Sequence, residues 1–370
     1  MTITKQQLQE KLEHCLCPPG DGVFTVNTAK ERKDALRTKL YGQTEGVDAI
    51  WKASLKNISS SEHKAAILGI ASDCGGGILR GANWGPLFLR STLIEQQPHV
   101  SAFDLGDVRV IPHLLHDKYL NEATISNCQK ALYENPNSDY YVSPLSITED
   151  VCDGFYQQHP DKGIFGIGGD HSISYPLTKS YLKAKRDLGK RTAIIHFDAH
   201  TDLLVERLGI DLCFGSWCTH VLEYLPAPHH LIQFGIRSSG KDKAHWESTF
   251  GVKQHWAHEI REQGTSAIVE QVIAQLKADN VDELYVSFDI DALDEEFASA
   301  TGTPEGNGMT PDEALEILTA LRAEFPITGA DMMEIAPFTD SSLVGQSSSE
   351  TTLREGAKIS AFLIDAMNNS

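Results

Sequence analysis

Short apolar runs bounded by glycine or aspartate recur from residue 65 to residue 337. They contain many β-branched residues, and the continuous apolar part of each is short. Because neither face of such a run is consistently polar, the pattern predicts strands that are buried on both faces of a parallel sheet. The runs are AAILGIASD (65–73), GIFGIGGDHS (163–172), TAIIHFDAHTD (192–202), HLIQFGIRS (230–238), ELYVSFDIDALD (283–294) and ITGADMMEIAP (327–337).

Amphipathic stretches with helical spacing lie between or after these runs. They comprise residues 266–280, 310–325 and 354–369. The second has a sharp predicted start, because Thr310 and Glu313 occupy capping-box positions and Pro311 the first helical position. Alternation of strands and helices predicts an α/β fold with a doubly wound, mostly parallel sheet.

The first 60 residues differ from the rest of the chain. Residues 1–60 have mixed charge and weak periodicity, a pattern that predicts an N-terminal extension of helices interrupted by loops. This extension is expected to serve as an oligomer contact or a lid. Residues 61–370 are expected to form a single domain. The seven cysteines are odd in number and scattered, which argues against a disulfide scaffold and for a reducing compartment. Cys15 and Cys17 are expected to be ordinary residues of a surface segment.

Composition excludes several classes of partner. The formal net charge is −19, so long-range repulsion opposes binding to nucleic acid or to an anionic membrane. A cationic substrate is compatible with this field. The chain has no apolar stretch of about 18 residues, and its first residues lack the apolar core of a secretory signal. These features predict a cytoplasmic protein.

Acidic and histidine residues follow three of the predicted strands. In an extended segment alternate side chains share a face, so Asp198, His200 and Asp202 are expected to point the same way. The same spacing applies to Asp289 and Asp291. Burying several unpaired carboxylates together would cost several kcal/mol for each ion. A bound cation removes that cost, so the pattern predicts a metal site at the carboxyl ends of the strands.

The third such segment, Gly168–Ser172, adds His171 to the predicted ligands. Four carboxylates with about four negative charges match two divalent ions. Oxygen-rich ligation with some imidazole favours Mn²⁺, with Ni²⁺ as an alternative. The six predicted ligands are His171, Asp198, His200, Asp202, Asp289 and Asp291.

Five motifs in order resemble those of the ureohydrolase family, which includes arginases and agmatinases. They are GIGGDHS (166–172), HFDAHTD (196–202), SFDIDALD (287–294), ATGTPEGNG (300–308) and ADMMEIAP (330–337). The resemblance implies a three-layer α/β/α sandwich and a binuclear metal centre. It implies that Asp198 and Asp289 bridge the two ions, and that Glu334 faces the guanidinium group of the substrate. Family members also assemble as trimers or hexamers, so a homo-oligomer is expected.

The resemblance further implies a hydrolytic mechanism. A hydroxide bridging the metals would attack the guanidinium carbon of a small guanidino substrate, and urea and ammonia or an amine would leave. Asp202 is expected to pass the proton to the leaving group, and Ser172 is not expected to act as a nucleophile.

One loop departs from the family pattern. Where relatives carry a histidine before a glycine, this chain has Phe214, and His220 lies further along as a substitute candidate for proton transfer. Phe214 and Trp217 are expected either to form an aromatic wall for a planar cation or to pack in the core. The apolar loop favours free guanidine or a short alkylguanidine and disfavours arginine.

Other functions remain open at this stage. Agmatine or guanidinobutyrate would suit a longer pocket, and formiminoglutamate hydrolysis is possible within the family. A non-catalytic homologue stabilised by metal is the alternative from a different class, although all six ligands and Glu334 are present.

Overall fold

The computed structural model describes residues 3–370 except 24, 26 and 340–348. Its centre is a nine-stranded sheet with the order β1-β3-β2-β4-β9-β8-β5-β6-β7. Only the two-residue β1 is antiparallel to its neighbour, and the other described pairings are parallel. The strands are β1 (Leu16–Cys17), β2 (Ala65–Gly69), β3 (Phe103–Val108), β4 (Gly163–Ile167), β5 (Thr192–Phe197), β6 (Leu231–Ile236), β7 (Lys253–Trp256), β8 (Glu283–Asp289) and β9 (Ile327–Met333).

Helices cover both faces of this sheet. The described helices are α1 (Lys5–Cys15), α2 (Lys30–Tyr41), α3 (Val47–Leu55), α4 (Gly85–Gln96), α5 (Glu122–Tyr133), α6 (Pro144–Gln158), α7 (Ser174–Asp187), α8 (Trp217–Val221), α9 (Lys243–Phe250), α10 (Ala257–Gln263), α11 (Thr265–Ala278), α12 (Pro311–Glu324) and α13 (Ser349–Asn368). Among the described residues, none of the helices is both long and apolar enough to cross a membrane.

Two apolar cores lie on opposite faces of the sheet. In β5, Ile195 belongs to the core with helices α4, α10, α11, α12 and α13, whereas Ile194 belongs to the core with α1, α3, α6, α7 and α8. Successive strand side chains point to opposite faces, which explains this division. The predicted three-layer α/β/α sandwich with a mostly parallel sheet is therefore confirmed.

The predicted elements match the structure closely. All six predicted strands are present, as β2, β4, β5, β6, β8 and β9. Helix α12 begins with the predicted capping box of Thr310 and Glu313, with Pro311 in the first turn. Sequence analysis missed three strands. Strand β1 has only two residues, β7 is short and partly exposed, and β3 has the polar sequence FDLGDV.

The N-terminal segment is part of the main fold. Strand β1 extends the central sheet beside β3, and the indole of Trp51 in α3 donates a hydrogen bond to the Leu105 carbonyl oxygen. Cys15 and Cys17 are buried, so their expected place in a surface segment is wrong. They are buried because helix α1 and strand β1 pack against the sheet. The suggested role of residues 1–60 in oligomer contact or as a lid stays a prediction.

Candidate metal centre

The predicted site residues meet at the carboxyl ends of four neighbouring strands. Strands β4, β9, β8 and β5 lie side by side, and each carries one segment of the site at that end. His171 follows β4, Glu334 follows β9, Asp289 ends β8, and Asp198 follows β5. Adjacent parallel strands thus bring together residues that are far apart in the chain.

Three carboxylates surround the imidazole of His171. Its Nδ1 atom lies 3.1 Å from Asp198 Oδ2, 3.2 Å from Asp202 Oδ2 and 3.0 Å from Asp289 Oδ2. The imidazole is buried, yet Nδ1 has no hydrogen bond of acceptable geometry. These atoms therefore converge on a common point without pairing with one another, which is the arrangement that metal ligands require.

A second group of ligand atoms adjoins the first. His200 Nδ1 lies 3.3 Å from Asp198 Oδ1 and 3.2 Å from Asp291 Oδ2. Asp198 thus has one oxygen near His171 and the other near His200. All six predicted ligands are brought together, in two groups that share Asp198.

Local backbone geometry orients these carboxylates. The amide of His200 donates to Asp198 Oδ1 (2.6 Å), and the amide of Asp291 donates to Asp289 Oδ1 (2.8 Å). An aspartate that accepts from the amide two residues later forms a tight turn, which suits the exit from a strand. The D-x-H and D-x-D spacings therefore satisfy local backbone donors and also aim the carboxylates into the site.

The buried charges perturb one another. Burial raises the pKa of Asp202 well above its usual value, and the charge of Asp198 adds to the effect. Burial and then Asp291 likewise raise the pKa of Asp289. Burial would lower the pKa of His171, but the carboxylates of Asp198 and Asp289 outweigh it and raise the pKa well above its usual value. The protein alone thus lacks enough positive charge for these carboxylates, and divalent cations would supply it.

Further side chains, which sequence analysis did not identify as supports, hold two of the six residues, His171 and Asp198, in place. Ser287 Oγ lies 3.0 Å from His171 Nε2 and donates to Asp331 Oδ1. Gln233 Nε2 lies 2.8 Å from His196 Nδ1, so the opposite nitrogen of His196 donates to Asp198 Oδ2. Period-2 spacing places Ser287 two residues before Asp289 and His196 two residues before Asp198, and this is the signal that could have identified them.

Glu334 lies next to the cluster with one oxygen unpartnered. Its Oε1 accepts from the amide of His171 (2.9 Å), whereas its buried Oε2 has no hydrogen-bond partner. Glu334 has a φ of 63°. Such left-handed backbone is unfavourable for a residue other than glycine and is concentrated at functional sites.

The three residues predicted in the variant loop have different environments. Trp217 is fully buried, and its indole donates to Asp202 Oδ2 (2.8 Å), so it contacts the cluster itself. Phe214 is half-buried, and the Arg207 guanidinium lies 4.9 Å from its ring centre. His220 Nε2 lies 2.8 Å from the Asp211 carbonyl oxygen, and in the described part of the chain His220 has no hydrogen bond or ion pair with the six ligands. Its role in proton transfer stays a prediction.

Comparison with known proteins agrees with this geometry. The Arginase family model matches residues 63–363. An agmatinase of Bacillus cereus is 30% identical over 295 residues, which cover 77% of this chain and 87% of that protein. An agmatinase of Bacillus subtilis is 34% identical over 209 residues, which cover 56% of this chain and 67% of that protein.

Solved structures share the fold. Formimidoylglutamase from Bacillus subtilis superposes with a TM-score of 0.64 at 23% identity, covering 83% of this chain and 88% of that chain. Arginase from Bacillus subtilis superposes with a TM-score of 0.61 at 21% identity, covering 83% and 99%. The chain therefore belongs to the arginase family and is a metal-dependent amidinohydrolase, a hydrolase of C–N bonds in linear amidines.

Proposed function

We propose that this protein hydrolyses a small guanidino compound to urea and ammonia or an amine, with two divalent ions held by the six clustered residues. The observation that supports the metal ligation is the imidazole of His171, whose buried Nδ1 lies within 3.2 Å of three carboxylates without a hydrogen bond. Mn²⁺ is the proposed metal, and Ni²⁺ the alternative, because both accept mixed oxygen and imidazole ligands.

The proposed division of ligands follows the family resemblance: His171, Asp198, Asp202 and Asp289 would hold one ion, and Asp198, His200, Asp289 and Asp291 the other. The distances support it in part, because Asp198, Asp202 and Asp289 lie near His171 and Asp198 and Asp291 lie near His200. When bound, the two ions would lower the pKa of a water molecule on them toward about 7 and so supply hydroxide near neutral pH. Ser287 lies against the ring of His171 and would fix its orientation. Asp202 is proposed to hold a proton and transfer it to the leaving amine.

Glu334 is proposed to orient the substrate. Its free Oε2 can accept a charge-assisted hydrogen bond from a guanidinium group, while the His171 amide holds its other oxygen. Gly302 packs against this oxygen, since a Cβ atom built on it would lie 2.9 Å from Glu334 Oε2. The preference for a compact cation rests on the apolar loop after Asp202. Phe214 is partly exposed, and the ring face that the Arg207 guanidinium does not cover is proposed to serve as an aromatic face for a planar cation.

Urea release from a substrate panel tests the proposed function. With Mn²⁺ or Ni²⁺ supplied, we expect guanidine or methylguanidine to give the highest kcat/KM, because the apolar loop after Asp202 favours a small guanidino compound. Agmatine is the second candidate, since the two relatives described above are agmatinases. A preference for agmatine or guanidinobutyrate would contradict the small-substrate assignment and leave the hydrolase class intact. Absence of urea from every compound would contradict the proposed reaction.

The indole of Trp217 provides a prediction about metal affinity. We expect Trp217→Phe to weaken metal binding by about 10–100-fold, because it removes the hydrogen bond to Asp202 while retaining an aromatic ring. Calorimetric titration of metal into the chelated protein measures the effect.

The matched control for Trp217→Phe is Trp246→Phe. The Trp246 indole is also buried, but it donates to Ser239, which is not among the clustered residues. Equal metal affinities in the two variants would contradict the supporting role of Trp217.

A cytoplasmic location and a trimeric or hexameric assembly are also proposed. The first rests on the scattered cysteines and the polar first residues, and the second on the family resemblance.

A further inference from the structure

A second cluster of ligand-type side chains lies at the amino ends of the strands, opposite the ends that carry the first cluster. His229 and His230 belong to the short 3₁₀ turn Pro228–His230 that precedes β6, and Asp279 directly follows α11. One ligand atom from each residue lies within 4.8 Å of the other two. The proposed catalytic centre is at the far end of β5, about 20 Å away along that six-residue strand.

The atoms of this cluster converge without forming hydrogen bonds. Asp279 Oδ2 lies 3.1 Å from His229 Nε2 and 3.7 Å from His230 Nε2. Nevertheless, His230 Nε2 and Asp279 Oδ2 are both buried with no hydrogen-bond partner. The side chain of His230 is fully buried, at 0% exposure. A buried nitrogen and a buried carboxylate oxygen that both lack hydrogen-bond partners are costly side by side, and a shared cation would satisfy both.

The tautomer of His230 favours ligation. Its Nδ1 lies 3.1 Å from the carbonyl oxygen of Thr192, which can only accept a hydrogen bond, so Nδ1 carries the proton. Nε2 therefore presents its lone pair toward His229 and Asp279. A carbonyl acceptor behind the non-ligating nitrogen is the usual arrangement around a histidine that binds metal.

We propose that His229, His230 and Asp279 bind one divalent transition-metal ion, with Zn²⁺ the preferred ion. Tetrahedral Zn²⁺ with bonds of about 2.1 Å separates its ligand atoms by about 3.4 Å, which lies between the two distances given above. Two imidazoles and one carboxylate suit Zn²⁺, whereas the four carboxylates of the catalytic cluster suit Mn²⁺. Water takes the fourth position, because the His229 side chain is 39% exposed and leaves an entry path.

Two neighbouring side chains fix the backbone of the cluster. Gln275 Nε2 in α11 donates to the carbonyl oxygen of His229 (3.1 Å), and Arg191 Nε donates to the carbonyl oxygen of Asp279 (3.0 Å). The ion therefore links the entry to β6 with the end of α11. The ion would stabilise the folded protein, because it binds the folded state preferentially.

Zinc stoichiometry of the Mn²⁺-loaded full-length protein tests the site. After saturation with Zn²⁺ and gel filtration, elemental analysis of His229→Asn and Asp279→Asn should each show one Zn²⁺ fewer per chain than the unaltered protein. Calorimetry should show the corresponding affinity lowered at least about 100-fold. Urea release by the Mn²⁺-loaded variants should not change, because neither residue is near the catalytic cluster.

The matched control for these variants is His113→Asn, which alters an exposed histidine outside both clusters. It should retain the full Zn²⁺ complement.

Thermal unfolding provides a second measurement. Added Zn²⁺ should raise the melting temperature of the unaltered protein by more than it raises that of His229→Asn. Equal Zn²⁺ content in the unaltered protein and both variants would overturn the proposal, and so would equal loss in the control. Both variants alter partly exposed side chains, so His230, which is fully buried, is left in place.

Discussion

Asp198→Asn is expected to lower kcat by at least about 10⁴-fold, which corresponds to about 5.5 kcal/mol of transition-state stabilisation. Metal content is expected to fall from two ions per chain to one or fewer. The reason is that Asp198 faces both histidines of the cluster, with Oδ2 near His171 and Oδ1 near His200. Asparagine keeps the shape of the side chain but loses the charge that a bridging ligand needs. Asp289→Asn or Asp289→Ala is expected to behave in the same way.

Elemental analysis and urea release measured on the same samples check this expectation. Asp187→Asn is the matched control, because Asp187 is an exposed aspartate at the end of α7. It should keep two ions and full activity. Two ions retained together with urea production in Asp198→Asn would refute the bridging assignment. A circular-dichroism spectrum equal to that of the unaltered protein separates loss of metal from loss of fold.

Glu334→Gln is expected to lower kcat/KM by about 10³-fold while both metal ions stay bound. The substitution keeps the size of the side chain, but the unpartnered Oε2 would no longer carry charge toward a guanidinium. Loss of one partner from a buried charged hydrogen bond costs about 2–5 kcal/mol, and 10³-fold corresponds to about 4 kcal/mol. Steady-state kinetics with guanidine, together with metal analysis, measure the two effects separately.

The control for Glu334→Gln is Glu206→Gln, which neutralises an exposed glutamate. Its kcat/KM should stay within a factor of about two, because surface charges contribute little. Loss of metal in Glu334→Gln would show that Glu334 acts through the metal cluster instead of through the substrate. An unchanged kcat/KM would remove Glu334 from the site. Neither result would affect the assignment of Asp198.

Most of the fold was predictable because the strands carry local signals. The six predicted strands are short apolar runs, and burial on both faces requires that composition whatever the neighbours are. Strand β3 was missed because Asp104 and Asp107 interrupt its apolar pattern. Those carboxylates pair with the buried guanidinium of Arg90 from α4, at 2.9 Å and 2.7 Å. A tertiary contact thus allows a polar strand that local pattern alone disfavours.

For the site, the sequence by itself determined which side chains could bind metal and that they follow the ends of buried strands. The physical reason is that the Asx-type turns at Asp198 and Asp289 are local properties of the backbone. The extended period-2 geometry expected for residues 198–202 does not occur, because β5 ends at Phe197 and Asp202 has a left-handed φ of 49°. Only the tertiary structure decided that Trp217 supports Asp202 and that His229 and His230 meet Asp279. Those pairs depend on strand order and on how loops pack across the sheet, and no local spacing encodes either of them.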